Sequence, residues 1–312
     1  MSPLSNQTKP ILIAGPTASG KSALALRLAE HCGGMIINAD SMQVYAELNV
    51  LSARPSVRDA ARVPHALYGH VPAREAYSAG RFVADAAAAI ATAQRDGRRP
   101  IIVGGTGLYF KALLEGLSPV PAIPDDVRQH WRALEKEHGA YALYVALRDD
   151  DPEMAARLDP HDGQRIVRAL EVVHGTGQSL AAWQRTPGQP ILCEVETVRL
   201  VVLPERTALN EACDRRFDRM MADGALREAE ALAALNLAPD LPSMRALGVR
   251  PLIAAVHKTM LLEDAVGQAK AETRQYAKRQ MTWLRRNMIA WNTAVTQEYE
   301  SNIVELFAFI QS

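Results

Sequence analysis

Residues 11–22, "ILIAGPTASGKS", place a short apolar run directly before a glycine-rich turn and the start of an alanine- and leucine-rich helix. From Gly15 to Ser22 the turn matches the pattern G-x-x-x-x-G-K-[ST], in which glycines allow backbone N–H groups to converge on phosphate oxygens. A strand before such a turn and a helix after it are the context that supports the match. The stretch therefore predicts a parallel α/β sheet whose first strand ends at a polyphosphate site.

Each part of this turn has a predicted role in holding a polyphosphate. The Lys21 ammonium would neutralise the terminal phosphate, and the Ser22 hydroxyl would coordinate Mg²⁺. The positive end of the following helix adds to the attraction. The alternative is a chance glycine turn that binds no ligand. The predicted phosphate-binding residues of the turn are Gly15, Pro16, Thr17, Ala18, Ser19, Gly20, Lys21 and Ser22.

Length and composition restrict the class of protein. At roughly 150 residues per domain, the 312 residues suggest two domains. The 35 Lys and Arg residues balance the 35 Asp and Glu residues, so the net charge points to no partner. The three cysteines are far apart and show neither zinc-site nor disulfide spacing. Because we find no signal peptide and no apolar run near ~20 residues, we expect a cytoplasmic protein without a membrane span. A monomer is a separate expectation.

Apolar runs alternate with helical periodicity in the first third of the chain, which is typical of βαβ units and a parallel sheet. The strand candidates are Ile11–Ala14, Met35–Ala39, the start of "PIIVGGTGLY" and Thr197–Pro204, with an alanine-rich helix over 81–94. Three prolines in "SPVPAIPDD" mark a linker, and the stretch after it is helical. We predict a P-loop NTPase-like parallel-sheet core (1–121), an all-helical insertion domain (122–196), and a segment (197–312) that completes the core and is helical to the end.

Two further stretches end strand candidates with polar residues. "NADSMQVY", residues 38–45, presents Asp40, Ser41 and Gln43, and "GGTGLY", residues 104–109, presents Thr106. In an open parallel sheet such residues face the ligand crevice. A single carboxylate there could hold Mg²⁺ or accept a proton, and its uncharged polar neighbours suit a base edge better than a second phosphate. The alternative is that Asp40 and Thr106 are simple helix N-caps.

Arg216 differs from the other arginines of the stretch "ALNEACDRRFDRMMADG" because no acid lies three or four residues away on a predicted helix. A guanidinium in that setting needs an anion from elsewhere, and a bound diphosphate is a candidate. A distant carboxylate or exposure to water are the alternatives.

The C-terminal region is locally basic. From Arg245 to Asn292 we count nine Lys or Arg against three Asp or Glu. Lys270, Arg274 and Lys278 recur every four residues with Arg285 one heptad further, and Trp283 and Trp291 interleave. This pattern indicates contact with a phosphate backbone, although a merely solvated helix face would have the same composition.

Six motifs in a fixed order connect these observations. They are "GPTASGKS", "NADSMQVY", "GGTGLYFKALLEG", "GQRIVRALEV", "LPSMRALGVRPL" and "YAKRQMTWLRR". With them the chain resembles the tRNA dimethylallyltransferase family over nearly its whole length. The resemblance implies transfer of a dimethylallyl group from dimethylallyl diphosphate to the N6 amine of the adenosine 3′-adjacent to the anticodon.

The resemblance also implies residue roles. The P-loop would hold the diphosphate of the donor rather than a nucleoside triphosphate, with Mg²⁺ as the metal and Arg216 as a further diphosphate ligand. Asp40 would be the general base, and Thr106 would lie near the bridging oxygen. The adenosine must be flipped out of the anticodon stem-loop. The implied tRNA-binding residues are Asp40, Ser41, Met42, Gln43, Thr106, Arg128, Gln164, Arg165, Ile166, Val167, Arg168, Arg245, Gly248, Arg250, Lys278, Arg279, Gln280, Trp283 and Arg285.

Three other functions are alternatives to this one. A small-molecule P-loop kinase would need ATP and an arginine-rich lid, but no basic C-terminal helix. An adenylate isopentenyltransferase performs the same chemistry on a free nucleotide, and lacks the long helical insertion and the RNA-contacting tail. A non-enzymatic RNA-binding protein would have no use for Lys21 and Asp40.

Overall fold

The computed structural model describes residues 8–294 together with Phe307 and Ile310. The chain forms two compact units. The first runs to Leu114 and resumes at Ile191, and the second is Glu115–Pro190. The predicted insertion, 122–196, begins and ends several residues later in the sequence than this second unit. At its start the difference arises because the proline-rich linker belongs to the second unit. The first unit resumes where the N–H groups of Ile191 and Leu192 donate to the Leu113 carbonyl, both at 3.0 Å.

The first unit is built on one parallel six-stranded sheet. Its strand order is β3-β2-β4-β1-β5-β6, so β1 is central and lies between β4 and β5. Parallel neighbours need crossover connections, and the helices between the strands supply them. The strands are β1 Ile11–Ala14, β2 Gly34–Asn38, β3 His65–Ala66, β4 Arg99–Gly104, β5 Val198–Val202 and β6 Asn292–Ala294.

One strand contradicts the prediction that the chain is helical to its end after β5. Asn292–Ala294 pairs in parallel with Leu200–Val202 and forms the edge of the sheet. Three residues are too few to show an alternating pattern, so only the neighbouring strand reveals this one. Most of the stretch beyond it lies outside the described residues.

Twelve α-helices lie in the described residues, and none of them is both long and apolar enough to cross a membrane. They are α1 Lys21–Cys32, α2 Val57–Ala60, α3 Ala79–Arg95, α4 Gly107–Glu115, α5 Asp125–Asp150, α6 Pro152–Ala155, α7 Gly163–Thr176, α8 Leu180–Arg185, α9 Arg206–Ala222, α10 Ala225–Ala234, α11 Val249–Val256 and α12 Leu262–Asn287.

The sheet is buried on both faces, which explains why its strands are continuously apolar rather than alternating. Successive residues of β1 enter two different clusters. Ile11 and Ile13 pack with Leu24 and Leu28 of α1, whereas Leu12 packs on the face that includes Phe82 of α3. Side chains alternate across a strand, so the run seen in the sequence serves both faces at once.

The second unit is all-helical in the described residues and has its own core. α5 is interrupted at Gly139, whose φ of 76° breaks the helix into two arms. Trp131 and Leu147 of α5 pack with Ile166 and Leu170 of α7. The unit therefore buries an apolar centre of its own and does not depend on the sheet for one.

Strands β2 and β4 approach so closely at their carboxyl ends that Gly104 has no room for a side chain. A Cβ there would overlap the backbone carbonyl of Ala39. We predict that Gly104→Ala destabilises the protein by about 1–3 kcal/mol, because backbone cannot move aside as a side chain can. Chemical denaturation measures the change in free energy of unfolding.

Gly267→Ala is the matched control for this substitution. Gly267 lies inside α12 with no atom within 4 Å of a built Cβ. Alanine there should stabilise the helix by up to ~1 kcal/mol. Equal effects of the two substitutions would show that the two strand ends tolerate a side chain at Gly104.

Candidate functional site

The turn after β1 curls because two of its residues adopt left-handed backbone conformations. Ala18 has a φ of 61°, and Gly20, which precedes the first residue of α1, has a φ of 84°. The Gly15 N–H donates to the Gly104 carbonyl at 3.2 Å, which ties the turn to the end of β4. The backbone therefore forms the concave turn that the sequence predicts, at the amino end of α1.

Four predicted functional side chains line one pocket of about 310 Å³ beside this turn. Lys21 and Ser22 come from the amino end of α1, Asp40 follows β2, and Arg216 comes from the middle of α9. Gln43 also lines it. The fold thus brings together groups from three separate stretches of sequence.

Two of the three cations that line the pocket, Lys21 and Arg216, are partly buried, and Arg219 is exposed. The pKa of Lys21 falls from its ordinary 10.5 to about 8, mainly because of burial; the charge of Asp40 opposes this change and that of Arg216 adds to it. Burial also lowers the pKa of Arg216, although a guanidinium stays charged near neutral pH. One carboxylate opposes three cations, so the pocket has an excess positive charge suited to an anion.

Arg216 reaches the P-loop directly, as the lack of a local acid suggested. Its Nη2 donates to the Thr17 hydroxyl at 2.5 Å. Its Nε is buried and has no hydrogen-bond partner among the described residues. The free Nε is the kind of donor that a bound phosphate oxygen would satisfy.

Asp40 is fixed by a buried asparagine rather than by a helix. The Asn38 side chain accepts from the Asp40 N–H at 2.9 Å and donates to the Asp40 carbonyl at 2.9 Å. The Met42 N–H donates to Asp40 Oδ1 at 2.9 Å, whereas Oδ2 has no protein donor within the described part of the chain. No helix begins there, so the N-cap alternative for Asp40 is wrong. One oxygen orients the carboxylate and the other is available to a substrate.

Thr106 lies just after β4 and is hydrogen-bonded to the turn that carries Asp40. Its Oγ1 accepts from the Ser41 N–H at 3.0 Å, and its own N–H donates to the Ala39 carbonyl at 3.3 Å. The two polar turns predicted to line the crevice are therefore hydrogen-bonded to each other. α4 begins at Gly107, directly after Thr106.

Three tyrosines lie close enough to Asp40 to feel its charge, and sequence reasoning did not assign any of them to the site. Burial, and then the charge of Asp40, raises the pKa of Tyr68, Tyr109 and Tyr276 above the ordinary value. Tyr109 lies in "GGTGLY" and Tyr276 in "YAKRQMTWLRR", so membership of these motifs was the available signal. The face of the Tyr109 ring is already stacked on Phe82, with ring centroids 3.8 Å apart.

The rim of the pocket is held by a glutamate that the sequence did not reveal. Glu228 of α10 accepts from the N–H groups of Asn49, Val50 and Leu51 at 2.7–2.9 Å. This carboxylate fixes the loop that continues to Ser52, which lines the pocket. The contact joins positions 179 residues apart, so no local pattern announces it.

The basic stripe on α12 is only partly available to an RNA. Lys270 pairs with Asp218 at 2.6 Å, and Arg274 pairs with Asp214 at 2.5 Å, both acids from α9. Lys270 and Arg274 therefore join α12 to α9. The prediction that the basic stripe is one continuous surface for RNA is corrected accordingly. Lys278 and Arg285 are exposed, and no described carboxylate lies within ion-pair distance of either.

The prediction that Gln280 contacts tRNA is corrected, because its side chain is only 7% exposed. The side chain instead bonds within the protein. Its Oε1 accepts from the Thr17 N–H and its Nε2 donates to the Gly105 carbonyl, both at 2.8 Å. Arg279 on the same helix is exposed, and Trp283 is half-buried.

The predicted tRNA-binding residues around the start of α11 also include both exposed and buried ones. Arg245 and Arg250 are exposed, and Arg250 donates to the Pro239 carbonyl at 3.0 Å. Gly248 is buried with a φ of 81°, and a Cβ on it would lie 2.8 Å from the Phe217 ring. Gly248 is therefore required by packing, and its predicted tRNA contact cannot be a side-chain one.

In the second unit, the predicted tRNA residues of α7 lie on different faces of the helix. Gln164 and Arg165 are exposed, and Arg165 pairs with Asp162. Ile166 and Val167 are buried in the core of the unit, which corrects their predicted RNA contact. The remaining two predicted residues form ion pairs within the unit, Arg168 with Glu171 at 3.5 Å and Arg128 with Asp125 at 3.9 Å.

Two family models match the chain. The one described as IPP transferase covers residues 43–287, and the one described as isopentenyl transferase covers residues 8–66. Among curated proteins, the tRNA dimethylallyltransferase of Parvibaculum lavamentivorans is 52% identical over 300 residues, 96% of this chain and 95% of its own length. That of Allorhizobium ampelinum is 53% identical over 288 residues, 92% of this chain and 95% of its own length.

Solved structures give the same result. The full-length tRNA isopentenylpyrophosphate transferase of Bacillus halodurans aligns with a TM-score of 0.70 at 31% identity, over 97% of this chain and 95% of that one. A eukaryotic dimethylallyltransferase acting on tRNA aligns with a TM-score of 0.81 at 26% identity, over 96% of this chain and 77% of that one.

The lowered pKa of Lys21 makes anion binding depend on pH. A bound diphosphate favours the charged ammonium and raises its pKa above the free value of about 8. Affinity should therefore be constant below pH 8 and fall above it, by up to about tenfold per pH unit. Calorimetric titration with inorganic diphosphate from pH 6.5 to 9.5, a range set around that pKa, measures this.

Lys21→Arg provides the control, because a guanidinium stays charged over the whole range. Any pH dependence that remains in this variant belongs to the ligand. Identical profiles for the two proteins would exclude Lys21 as the titrating group.

Proposed function

The chain belongs to the tRNA dimethylallyltransferase family, and on that premise we propose that it moves the dimethylallyl group of dimethylallyl diphosphate to the N6 amine of the adenosine 3′-adjacent to the anticodon. The observation that carries this proposal is the pocket in which two partly buried cations, Lys21 and Arg216, lie with a single carboxylate, Asp40. The cations suit a diphosphate, and the carboxylate suits an amine that must lose a proton.

The proposed transfer is a single displacement. The N6 lone pair attacks C1 of the allylic group as the C1–O bond breaks, and the bonding electrons leave with the diphosphate. The amine proton passes to Asp40, whose Oδ2 is the carboxylate oxygen without a protein donor in the described residues. Because an aryl amine is a weak nucleophile, a positioned base should accelerate the reaction by ~10²–10⁴-fold.

The leaving diphosphate gains negative charge as the bond breaks. Lys21, Arg216 and the N–H groups of the P-loop are the proposed ligands for that charge. Thr106 is held beside Asp40 through Ser41, and we assign its hydroxyl to the bridging oxygen of the donor. Asp40 and Thr106 are held by hydrogen bonds within the protein, so these two groups need little reorganisation during the reaction.

The oxygen donors of the pocket fit Mg²⁺. A magnesium ion in a phosphate site takes one or two protein oxygens and completes its shell with phosphate oxygens and water. Ser22 and Asp40 line the same pocket, and Ser22 is exposed to it. We propose the Ser22 hydroxyl as the protein ligand. When bound, the metal would neutralise part of the charge on the diphosphate.

The RNA surface that we propose consists of exposed groups and of partly buried groups at the crevice. In the first unit these are Arg245, Arg250, Lys278, Arg279 and Arg285, with Asp40, Ser41, Met42, Gln43 and Thr106 at the crevice. Gln164 and Arg165 are the exposed candidates of the all-helical unit, for which we propose a tRNA-contacting role. The flipped adenine would lie beside Asp40 in the crevice, where contacts recover part of the cost of unstacking it.

Incubation with radiolabelled dimethylallyl diphosphate tests the proposed reaction. We expect label to enter an anticodon stem-loop RNA with adenosine 3′ of the anticodon, without ATP and with release of diphosphate. Label entering AMP alone would indicate an adenylate isopentenyltransferase. A requirement for ATP with phosphoryl transfer would indicate a kinase.

Asp40→Asn separates chemistry from binding. The amide oxygen can still accept from the Met42 N–H, but the side chain no longer accepts the amine proton. We expect kcat to fall on the order of 10²–10⁴-fold while the Kd for the stem-loop stays within about threefold. Asp96→Asn, an exposed change at the end of α3, is the control. A parallel loss of affinity would make Asp40 an anchor instead.

Lys278→Ala tests the RNA surface against Lys270→Ala on the same helix. Lys278 has no acidic partner in the described chain, whereas Lys270 is paired with Asp218. Removal of Lys278 should weaken RNA binding and lower the slope of log Kd against log salt by about one. Removal of Lys270 should leave the slope unchanged. An unchanged slope for Lys278→Ala would remove this residue from the interface.

A further inference from the structure

Gln280 is the point at which α12 joins the two turns of the active crevice. Its Oε1 accepts from Thr17 in the P-loop, and its Nε2 donates to the carbonyl of Gly105, next to Thr106. The orientation of the amide is unique, because an N–H needs the oxygen and a carbonyl needs the nitrogen. The side chain therefore sets a fixed spacing between the turn that holds the diphosphate and the turn that holds Thr106.

α12 presents two functionally different faces. Tyr276 and Trp283 lie within one turn of Gln280 and on its side of the helix. Tyr276 lies near Asp40, and Trp283 packs so close to Gly107 that a Cβ there would overlap its ring. At roughly 100° per residue, Lys278 and Arg285 lie on the opposite side, where they are exposed. One face meets the crevice and the other meets solvent.

Ion pairs to α9 prevent the helix from shifting freely. Lys270 and Arg274 are anchored to Asp218 and Asp214, and the same α9 carries Arg216 to Thr17. Thr17 is therefore reached from α9 through its hydroxyl and from α12 through its N–H. A change in the position of α12 would move the P-loop at this residue.

We propose that Gln280 is a positioning residue that couples tRNA binding to diphosphate binding. The inference rests on the proposed function, since it requires that RNA binds the exposed face of α12 and diphosphate binds the P-loop. RNA that fixes α12 also fixes the spacing between Thr17 and Gly105, and diphosphate that orders the P-loop favours the same position of α12. Each ligand should then tighten the other by the same factor.

The coupling factor is measured with ligands that cannot react. The Kd of an anticodon stem-loop RNA is determined with and without saturating inorganic diphosphate and Mg²⁺, and the Kd of diphosphate with and without RNA. In the wild-type protein we expect each ligand to tighten the other at least about fivefold. Equal factors in the two directions confirm that one equilibrium is being observed.

Gln280→Met keeps the volume of the side chain and removes both hydrogen bonds, so the coupling factor should fall to about one. Gln280→Glu provides a second variant. It retains an acceptor for Thr17 but opposes an oxygen to the Gly105 carbonyl, so it should also lose coupling. Melting temperatures identify the folded variants, and RNA affinity without diphosphate should stay within about twofold.

Two matched controls lie on the same helix. Thr273→Val removes a buried hydroxyl that bonds only within α12, to the Ala269 carbonyl at 2.8 Å, and it should keep the full coupling factor. Lys278→Ala should weaken RNA binding by the same proportion with and without diphosphate. A loss of coupling in Thr273→Val would show that general loosening of α12, rather than Gln280, is responsible.

The outcomes separate this inference from the proposed function. If neither ligand binds the wild-type protein, both are overturned. If both bind but the wild-type factor is one, or if both Gln280 variants keep it, only the inference fails. Loss of coupling in both folded variants, with both controls intact, supports it.

Discussion

The close approach of β2 and β4 at their carboxyl ends is the constraint on which the site depends. Backbone meets backbone where Gly104 faces Ala39, so the turns that follow these strands begin in contact. The Ser41–Thr106 hydrogen bond follows from that approach, and the Gly15–Gly104 hydrogen bond ties the end of β1 to the same point. Three loops from a parallel sheet are thereby brought into one crevice without any long side chain having to span it.

The charges of the crevice follow from how its groups are buried. Lys21 and Arg216 are partly buried beside a single carboxylate, Asp40, and burial lowers the pKa of both cations, so their charged forms cost free energy in the protein without a ligand. In the proposed function, a bound diphosphate would compensate for that cost. The cations would then stabilise the charge that grows on the leaving group.

The features that could be predicted are those whose residues lie close together in the sequence. The P-loop, the strand-end acid Asp40 and the unpaired Arg216 are local patterns, and each lies in the pocket. Lys270 and Arg274 were misassigned because their acids lie on α9, more than fifty residues away. The buried position of Gln280 and the clamp by Glu228 likewise exist only after folding. The strand β6 was missed because three residues carry no periodicity, and the edge of the sheet decides their conformation.

The contacts that complete the pocket come late in the chain. Arg216, Glu228 and Gln280 all follow the all-helical unit, whereas the P-loop and Asp40 precede it. A nascent chain that has emerged from the ribosome only as far as Pro190 therefore has the phosphate turn but neither the second cation nor the rim support. The pocket and its supporting contacts are therefore complete only once the chain has been synthesised as far as Gln280.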